Sequence, residues 1–338
     1  MEGQDYYQEI LNKTVDKNIP FKVFWELTYS CNLNCQHCYV RPYPKREELN
    51  QEEIKRALKQ LYEMGALFIT FSGGEVLTRP DFFAIASYAR SLGLAVRILT
   101  NATLIDAGVT ETILELHPLS VEISLYAMRP AIHDAITRHA GSFVKTVSAI
   151  KLLKEKGLEV VIKSPLMESN IAEFAALKDF ASRLSCRWVF DLNIIPRQDG
   201  DSFPLRYRLG EERLREFFVS VGAGRYWGKR EIQDAEPVCD AGLNSLCVSP
   251  YGEVFPCVGA RIKMGALREN SIKEIWQNRA FEEFCGQNRF SRLHECRQCH
   301  LLAYCRRCPG VAHLEDGDFR GRSTAACRIT RLQYSLFK

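Results

Sequence analysis

The sequence predicts an α/β protein: a mostly parallel sheet built from six βα units over residues 21–196, then a small cysteine-rich α+β region. Three observations carry this expectation. Short β-rich runs alternate with amphipathic segments as far as residue 195, the order that parallel strands and crossover helices require. Nine of the 13 cysteines fall between Cys239 and Cys327. No stretch of 18 apolar residues occurs, which excludes a membrane-spanning helix. A chain of 338 residues is long enough for about two domains.

Residues 1–20 form an N-terminal extension. Its start, MEGQDYYQEI, has neither the basic end nor the apolar core of a signal peptide, so a cytoplasmic location is expected. Strands are expected at 21–27 (FKVFWEL), 67–72, 94–100, 119–125, 158–164 and 186–194, most of them apolar throughout, as in a sheet covered on both faces. After the first strand, Ile54, Ala57, Leu58, Leu61 and Tyr62 share one helical face, and Gly65 stops that helix. Further helices fit 80–92, 106–117, 143–156 and 171–184, with Asn170 as an N-cap and Gly93 and Gly157 as stops. Beyond Pro196 the segment 197–236 reads as a linker carrying a helix near 211–221. In the last region, 237–338, a hairpin within 244–258 turns at Tyr251-Gly252, and helices fit 271–285 and 324–336.

Charge is uninformative, with 45 basic against 41 acidic residues, and no general polyanion-binding surface follows from it. The cysteines are informative. In a chain without an export signal they are expected as reduced thiols, which points to metal or redox chemistry.

Cys31, Cys35 and Cys38 form C-x3-C-x2-C directly after the first strand, on the loop at its C-terminal end, where α/β sheets and barrels keep their chemistry. Three thiolates can hold three irons of a 4Fe–4S cube and leave the fourth iron open. A zinc site completed by His37, or thiols without a ligand role, would use the same residues. After the second strand comes Gly73-Gly74-Glu75, where glycines let a ligand approach the backbone and Glu75 can accept hydrogen bonds from an ammonium group.

Together these motifs resemble the radical S-adenosylmethionine enzymes. The resemblance implies a partial (β/α)6 TIM-type barrel over 21–196, with the amine and carboxylate of S-adenosyl-L-methionine chelating the fourth iron and Glu75 positioning the amine. It also implies that one electron from the reduced cluster yields a 5′-deoxyadenosyl radical that abstracts hydrogen from substrate. Asn101, Ser124 and Lys163, at the ends of the third, fourth and fifth strands, match as cofactor contacts, and Arg138 matches at longer spacing. His133 and Asp134 read more simply as a helix-start pair than as acid–base groups.

The C-terminal cysteines resemble the SPASM extension of the same family, including Cys239-x12-Gly252-x4-Cys257. The family's interleaved pattern implies one auxiliary cluster on Cys239, Cys247, Cys257 and Cys308, and another on Cys296, Cys299, Cys305 and Cys327, hence three 4Fe–4S clusters in all. Here Cys305 and Cys308 are two residues apart where the family has three, and local spacing alone would also permit a zinc ribbon on Cys296, Cys299, Cys305 and Cys308. Cys186 and Cys285 read as ordinary buried cysteines. Fully thiolate-ligated auxiliary clusters favour electron transfer, and the many arginines of the last fifty residues would offset their negative charge.

By the same resemblance the substrate is a peptide or protein, the alternative being oxidation or decarboxylation of a tetrapyrrole. An electron donor such as flavodoxin or ferredoxin is implied. The short extension is too small for the peptide-recognition domain that some relatives carry, so leader recognition is expected to need another protein or another surface. A non-catalytic nucleic-acid-binding protein is the contrasting class, but it leaves the first cysteine triplet and Gly73-Gly74-Glu75 unexplained.

Overall fold

In the computed structural model, which describes residues 2–40, 46–222 and 228–337, six strands run parallel in the order in which the chain makes them. They are β1 (Lys22–Thr28), β2 (Phe68–Gly73), β3 (Ala95–Thr100), β4 (Ser120–Ser124), β5 (Val160–Pro165) and β6 (Arg187–Asp191). Ahead of β1 lies α1 (Glu2–Asp16). The crossovers carry α2 (Gln51–Glu63), α3 (Phe82–Ser91), α4 (Ala107–Leu116), α5 (Pro130–Thr137), α6 (Ser142–Glu155) and α7 (Phe174–Arg183). The first crossover helix is held by a capping box: the Asn50 side chain accepts from the Glu52 and Glu53 amides, and Glu53 accepts from the Asn50 amide at 2.8 Å.

Then α8 (Glu211–Ser220) leads to β7 (Ser245–Val248), β8 (Glu253–Phe255) and β9 (Gly265–Ala266). The hairpin turns over residues 249–252, with the Gly252 amide donating to the Ser249 carbonyl at 3.0 Å. β7 pairs in parallel with β1, from Lys22 opposite Ser245 to Trp25 opposite Val248, so the cysteine-rich hairpin extends the same sheet to nine strands. The chain closes with α9 (Ile272–Trp276), α10 (Arg279–Gln287), α11 (Pro309–Asp316) and α12 (Thr324–Phe337). One apolar core runs from Trp25, Phe71 and Ile98 to Val248, Val254 and Trp276.

Several details differ from the sequence reading. The N-terminal extension is largely helical, α11 occupies a stretch where the sequence suggests no helix, and His133 and Asp134, expected at a helix start, lie in the middle of α5. The expected helix 271–285 is two, because Asn278 breaks it and caps α10 by accepting from the Phe281 amide at 3.0 Å. Asn170 caps no helix with its side chain. Its carboxamide instead bonds the Met167 amide and the Tyr126 and Pro165 carbonyls, tying β4 to β5. β6 is an edge strand with Val189 and Phe190 exposed rather than covered. Cys186 and Cys285 are half-buried against the core. Within the 197–236 linker, residues 223–227 lie outside the described residues. Among the described residues, no helix is long and apolar enough to cross a membrane, and no disulfide joins any of the cysteines.

Candidate active site

The C-terminal ends of the parallel strands surround a cavity of about 290 Å³. β1 supplies Cys31, Cys35 and Cys38 through its loop, β2 supplies Gly73 and Gly74, β3 supplies Asn101, β4 supplies Ser124, and β5 supplies Lys163. The fold therefore brings all of these to one wall, as parallel α/β topology does with residues that follow successive strands.

The cysteine loop is pinned on two sides. The Asn34 and Gln36 amides donate to the Thr137 and Ile136 carbonyls at the end of α5, at 3.1 and 2.9 Å. On the other side the Gly74 and Glu75 amides donate to the Thr28 and Ser30 carbonyls at 2.7 and 2.8 Å. This close approach is what requires glycine. A Cβ on Gly73 would stand 2.0 Å from the Thr28 carbonyl oxygen, and one on Gly74 2.2 Å from that of Ser30.

Glu75 does not reach the cavity. Its fully buried carboxylate accepts from Thr100 Oγ1 at 2.7 Å, the Asn101 amide at 2.7 Å and the Leu77 amide at 3.2 Å. Burial pushes its pKa up and those three bonds oppose the rise. Where the sequence suggests contact with an ammonium group, the structure spends the carboxylate on the turn after β3. That turn sets Asn101, whose Nδ2 lies 3.0 Å from Asn32 Oδ1 and 3.9 Å from Cys31 Sγ. Arg138 stands outside the cavity wall. It ends α5 in the left-handed conformation, and its guanidinium faces the Tyr207 hydroxyl at 3.5 Å. Asp134 accepts from the Gly141 and Phe143 amides and from Ser142 Oγ, and so secures the start of α6.

Two acids escaped the sequence reading. Glu122 forms an ion pair with Lys163 in the cavity wall, and the signal was there: Glu122 and Ser124 alternate along β4, so they share a face. His37 and Tyr126 also line the cavity, their rings edge-on at 5.0 Å, and burial holds the His37 imidazole down to about 4. Glu26, in the middle of β1, is fully buried and accepts from the Tyr29 and Tyr39 hydroxyls and from Arg261.

The eight C-terminal cysteines fall into two neighbourhoods. Cys257 interacts electrostatically with Cys308 and Cys239, and Cys247 with Cys257. Cys296 interacts with Cys327, Cys305 and Cys299. Burial pushes the Cys257 thiol up to about 12 and that of Cys247 well above its ordinary value, and a metal centre would have to displace those protons. Thiolate sets of this kind suit iron–sulfur clusters. Among the described residues, no three His, Cys, Asp or Glu side chains converge as they would around a single ion.

The family model for the radical SAM superfamily matches residues 25–181, and that for the SPASM iron–sulfur cluster-binding domain matches 239–300. The mycofactocin maturase MftC of Mycobacterium ulcerans is 32% identical over 282 residues, 77% of this chain and 75% of that protein. The AdoMet-dependent heme synthase of Methanosarcina barkeri is 26% identical over 338 residues, 89% of this chain and 95% of its own. In fold, the crystal structure of Streptococcus suis SuiB bound to its precursor peptide SuiA superposes with a TM-score of 0.72 at 16% identity, covering 96% of this chain and 80% of that one. Cavity, cysteine sets and family models agree: the chain belongs to the radical SAM superfamily with a SPASM domain, an enzyme whose cofactors are S-adenosyl-L-methionine, a 4Fe–4S cluster that binds it, and auxiliary clusters.

Proposed function

We propose that this enzyme modifies a peptide or protein. The observation that carries the reading is the size of the cavity. About 290 Å³ is at the lower end for a small-molecule site, and S-adenosylmethionine must share it. One side chain of an extended peptide can enter such a space from the rim while the rest of the peptide stays outside. Similarity to a maturase supports the same reading, and similarity to a heme synthase supports the tetrapyrrole alternative.

In this reading Cys31, Cys35 and Cys38 hold the cluster that binds S-adenosylmethionine. Gly73, Gly74, Asn101 and Ser124 border the cofactor, Lys163 and Glu122 offer it a paired charge, and Glu75 positions Asn101. When bound and reduced, the cluster supplies the electron that cleaves S-adenosylmethionine to the 5′-deoxyadenosyl radical, which takes hydrogen from the substrate. The chain's own task is to keep that reaction dry and aimed. Half-buried His37 and buried Tyr126 limit water on one side, and the pinned cysteine loop fixes the distance to the substrate.

Cys239, Cys247, Cys257 and Cys308 hold one auxiliary cluster, and Cys296, Cys299, Cys305 and Cys327 the other. The barrel region 21–196, the linker 197–236 and the SPASM region 237–338 divide the chain by function. A flavodoxin or ferredoxin supplies electrons in the cytoplasm, and a separate recognition protein presents the peptide.

Anaerobic reconstitution, reduction with dithionite and chromatography of 5′-deoxyadenosine test the chemistry. Release from the wild type and none from Cys35→Ala is expected. Adding a panel of unstructured peptides is expected to raise release, and adding protoporphyrin is not. Stimulation by protoporphyrin alone would overturn the peptide reading.

A further inference from the structure

Two arginines stand out when every buried polar atom is matched to a partner. Among the described residues, only Arg261 and Arg307 leave two buried side-chain atoms without one, Nε and Nη1 in both cases. Unmade hydrogen bonds of a buried guanidinium carry its full desolvation cost, so such donors need an acceptor.

Arg261 Nη2 donates to both oxygens of Glu26, at 2.8 and 2.9 Å, and Glu26 is fixed in turn by the hydroxyls of Tyr29 and Tyr39 at 2.8 and 3.0 Å. This leaves Nε and Nη1 in a pocket where the Cys247 thiol adjoins the same guanidinium. The preceding residue, Ala260, gives its amide to Cys257 Sγ at 3.2 Å, so Arg261 leaves the backbone beside a second cysteine of that set. Arg307 is anchored differently but ends alike. Its Nη2 donates to the Phe319 and Gly321 carbonyls at 2.9 and 2.7 Å, and the Gly321 carbonyl is the one that Cys296 Sγ meets at 3.6 Å. Each cysteine neighbourhood thus has a buried guanidinium held to protein oxygens through Nη2 alone, and beside Arg261 the group that meets the guanidinium is the Cys247 thiol.

We propose that Arg261 and Arg307 are positioning residues whose free Nε and Nη1 groups hydrogen-bond the sulfurs of the two auxiliary clusters, one arginine to each, and raise their reduction potentials. The inference rests on the two ligand sets proposed above. Hydrogen bonds and positive charge at the sulfurs stabilise the reduced, more negative cluster, so their loss lowers the potential. Glu26 aims the guanidinium, and because its own charge opposes that of Arg261 at Cys247, it is the hydrogen bonds rather than net charge that carry the effect on this side.

The test uses the full chain carrying Cys31→Ala, Cys35→Ala and Cys38→Ala, so that only the auxiliary clusters load, with iron and sulfide counted and both midpoints read by redox titration under electron paramagnetic resonance. Two changes are compared. Arg307→Met strands no carboxylate, and the pair Glu26→Gln with Arg261→Met removes a buried ion pair together rather than half of it. Each is expected to lower one midpoint by a tenfold change in the reduction equilibrium, about 59 mV for one electron, and the two changes are expected to move different midpoints. Arg261→Lys keeps the ion pair but loses the two free donors, and is expected to lower the same midpoint as the pair. Loaded clusters with unmoved midpoints, or one midpoint moved by both changes, would overturn the proposal and leave the ligand sets standing. A parent protein that loads fewer than two clusters would overturn the ligand sets and the proposal together.

Discussion

Gly74 shows how much of the site hangs on a single missing carbon. With its Cβ position 2.2 and 2.6 Å from two backbone oxygens of the cysteine loop, Gly74→Ala forces β2 and that loop apart. Chemical denaturation of the apo-protein is expected to show a loss of about 1–3 kcal/mol, and 5′-deoxyadenosine release should drop with the displaced thiols. Glu75→Gln is expected to cost a similar about 1–3 kcal/mol, because an amide offers one acceptor oxygen where the turns after β2 and β3 together present three donors. A variant as stable as the wild type would mean that the turn after β3 does not depend on the carboxylate. His133 carries a pH signature. Burial holds its imidazole down to about 4, and Nδ1 accepts from the Tyr126 amide. With the folded pKa below the unfolded value of about 6.5, its contribution is complete above that value and is lost as pH falls towards 4. Over that window His133→Asn should flatten the pH dependence of unfolding by up to about 1.4 kcal/mol per pH unit relative to the wild type, and equal slopes would contradict the assignment.

At the scale of elements, α5 matters out of proportion to its length. Its last carbonyls receive the cysteine loop, and Asp134 within it secures the first turn of α6. Asp134→Ala is expected to cost about 0.5–2 kcal/mol in thermal or chemical unfolding, the usual worth of a lost helix cap. The β7–β8 hairpin has a comparable double duty. It presents Cys247 and Cys257 at its two sides while β7 completes the pairing of β1, the strand that carries the other cysteine loop. Sheet and cluster regions thereby share a strand neighbour, and the register from Lys22 to Trp25 sets the distance between them.

For the whole molecule, that shared sheet and the main core that spans both regions predict one cooperative unit. Trp25 lies within β1 and Trp276 at the end of α9, both buried in the same core. The apo-protein is expected to unfold in one transition, with the same midpoint by far-ultraviolet circular dichroism and by the fluorescence of variants that keep either tryptophan alone. Two separated midpoints would mean that the regions are independent despite the β1–β7 pairing. A chain ending at residue 222 would bare the edge of β1 and the core side chains that Val248, Val254 and Trp276 cover, and is expected to lose cooperative unfolding altogether.

The six parallel strands, most of their helices and the cysteine triplet are legible in the sequence for a local reason. Apolar runs, glycine stops and the spacing of thiols along a loop are properties of neighbours in the chain. So too is the family resemblance, because Cys31, Cys35, Cys38 and Gly73-Gly74-Glu75 are contiguous motifs. What only the tertiary structure decided involves residues far apart. The direction of the Glu75 carboxylate, the Glu122–Lys163 pair across two strands, the parallel pairing of β1 with β7, and the meeting of Glu26 with Arg261 across 235 positions all follow from packing. A buried charge is settled by whichever partner the fold delivers, and no local pattern names that partner in advance.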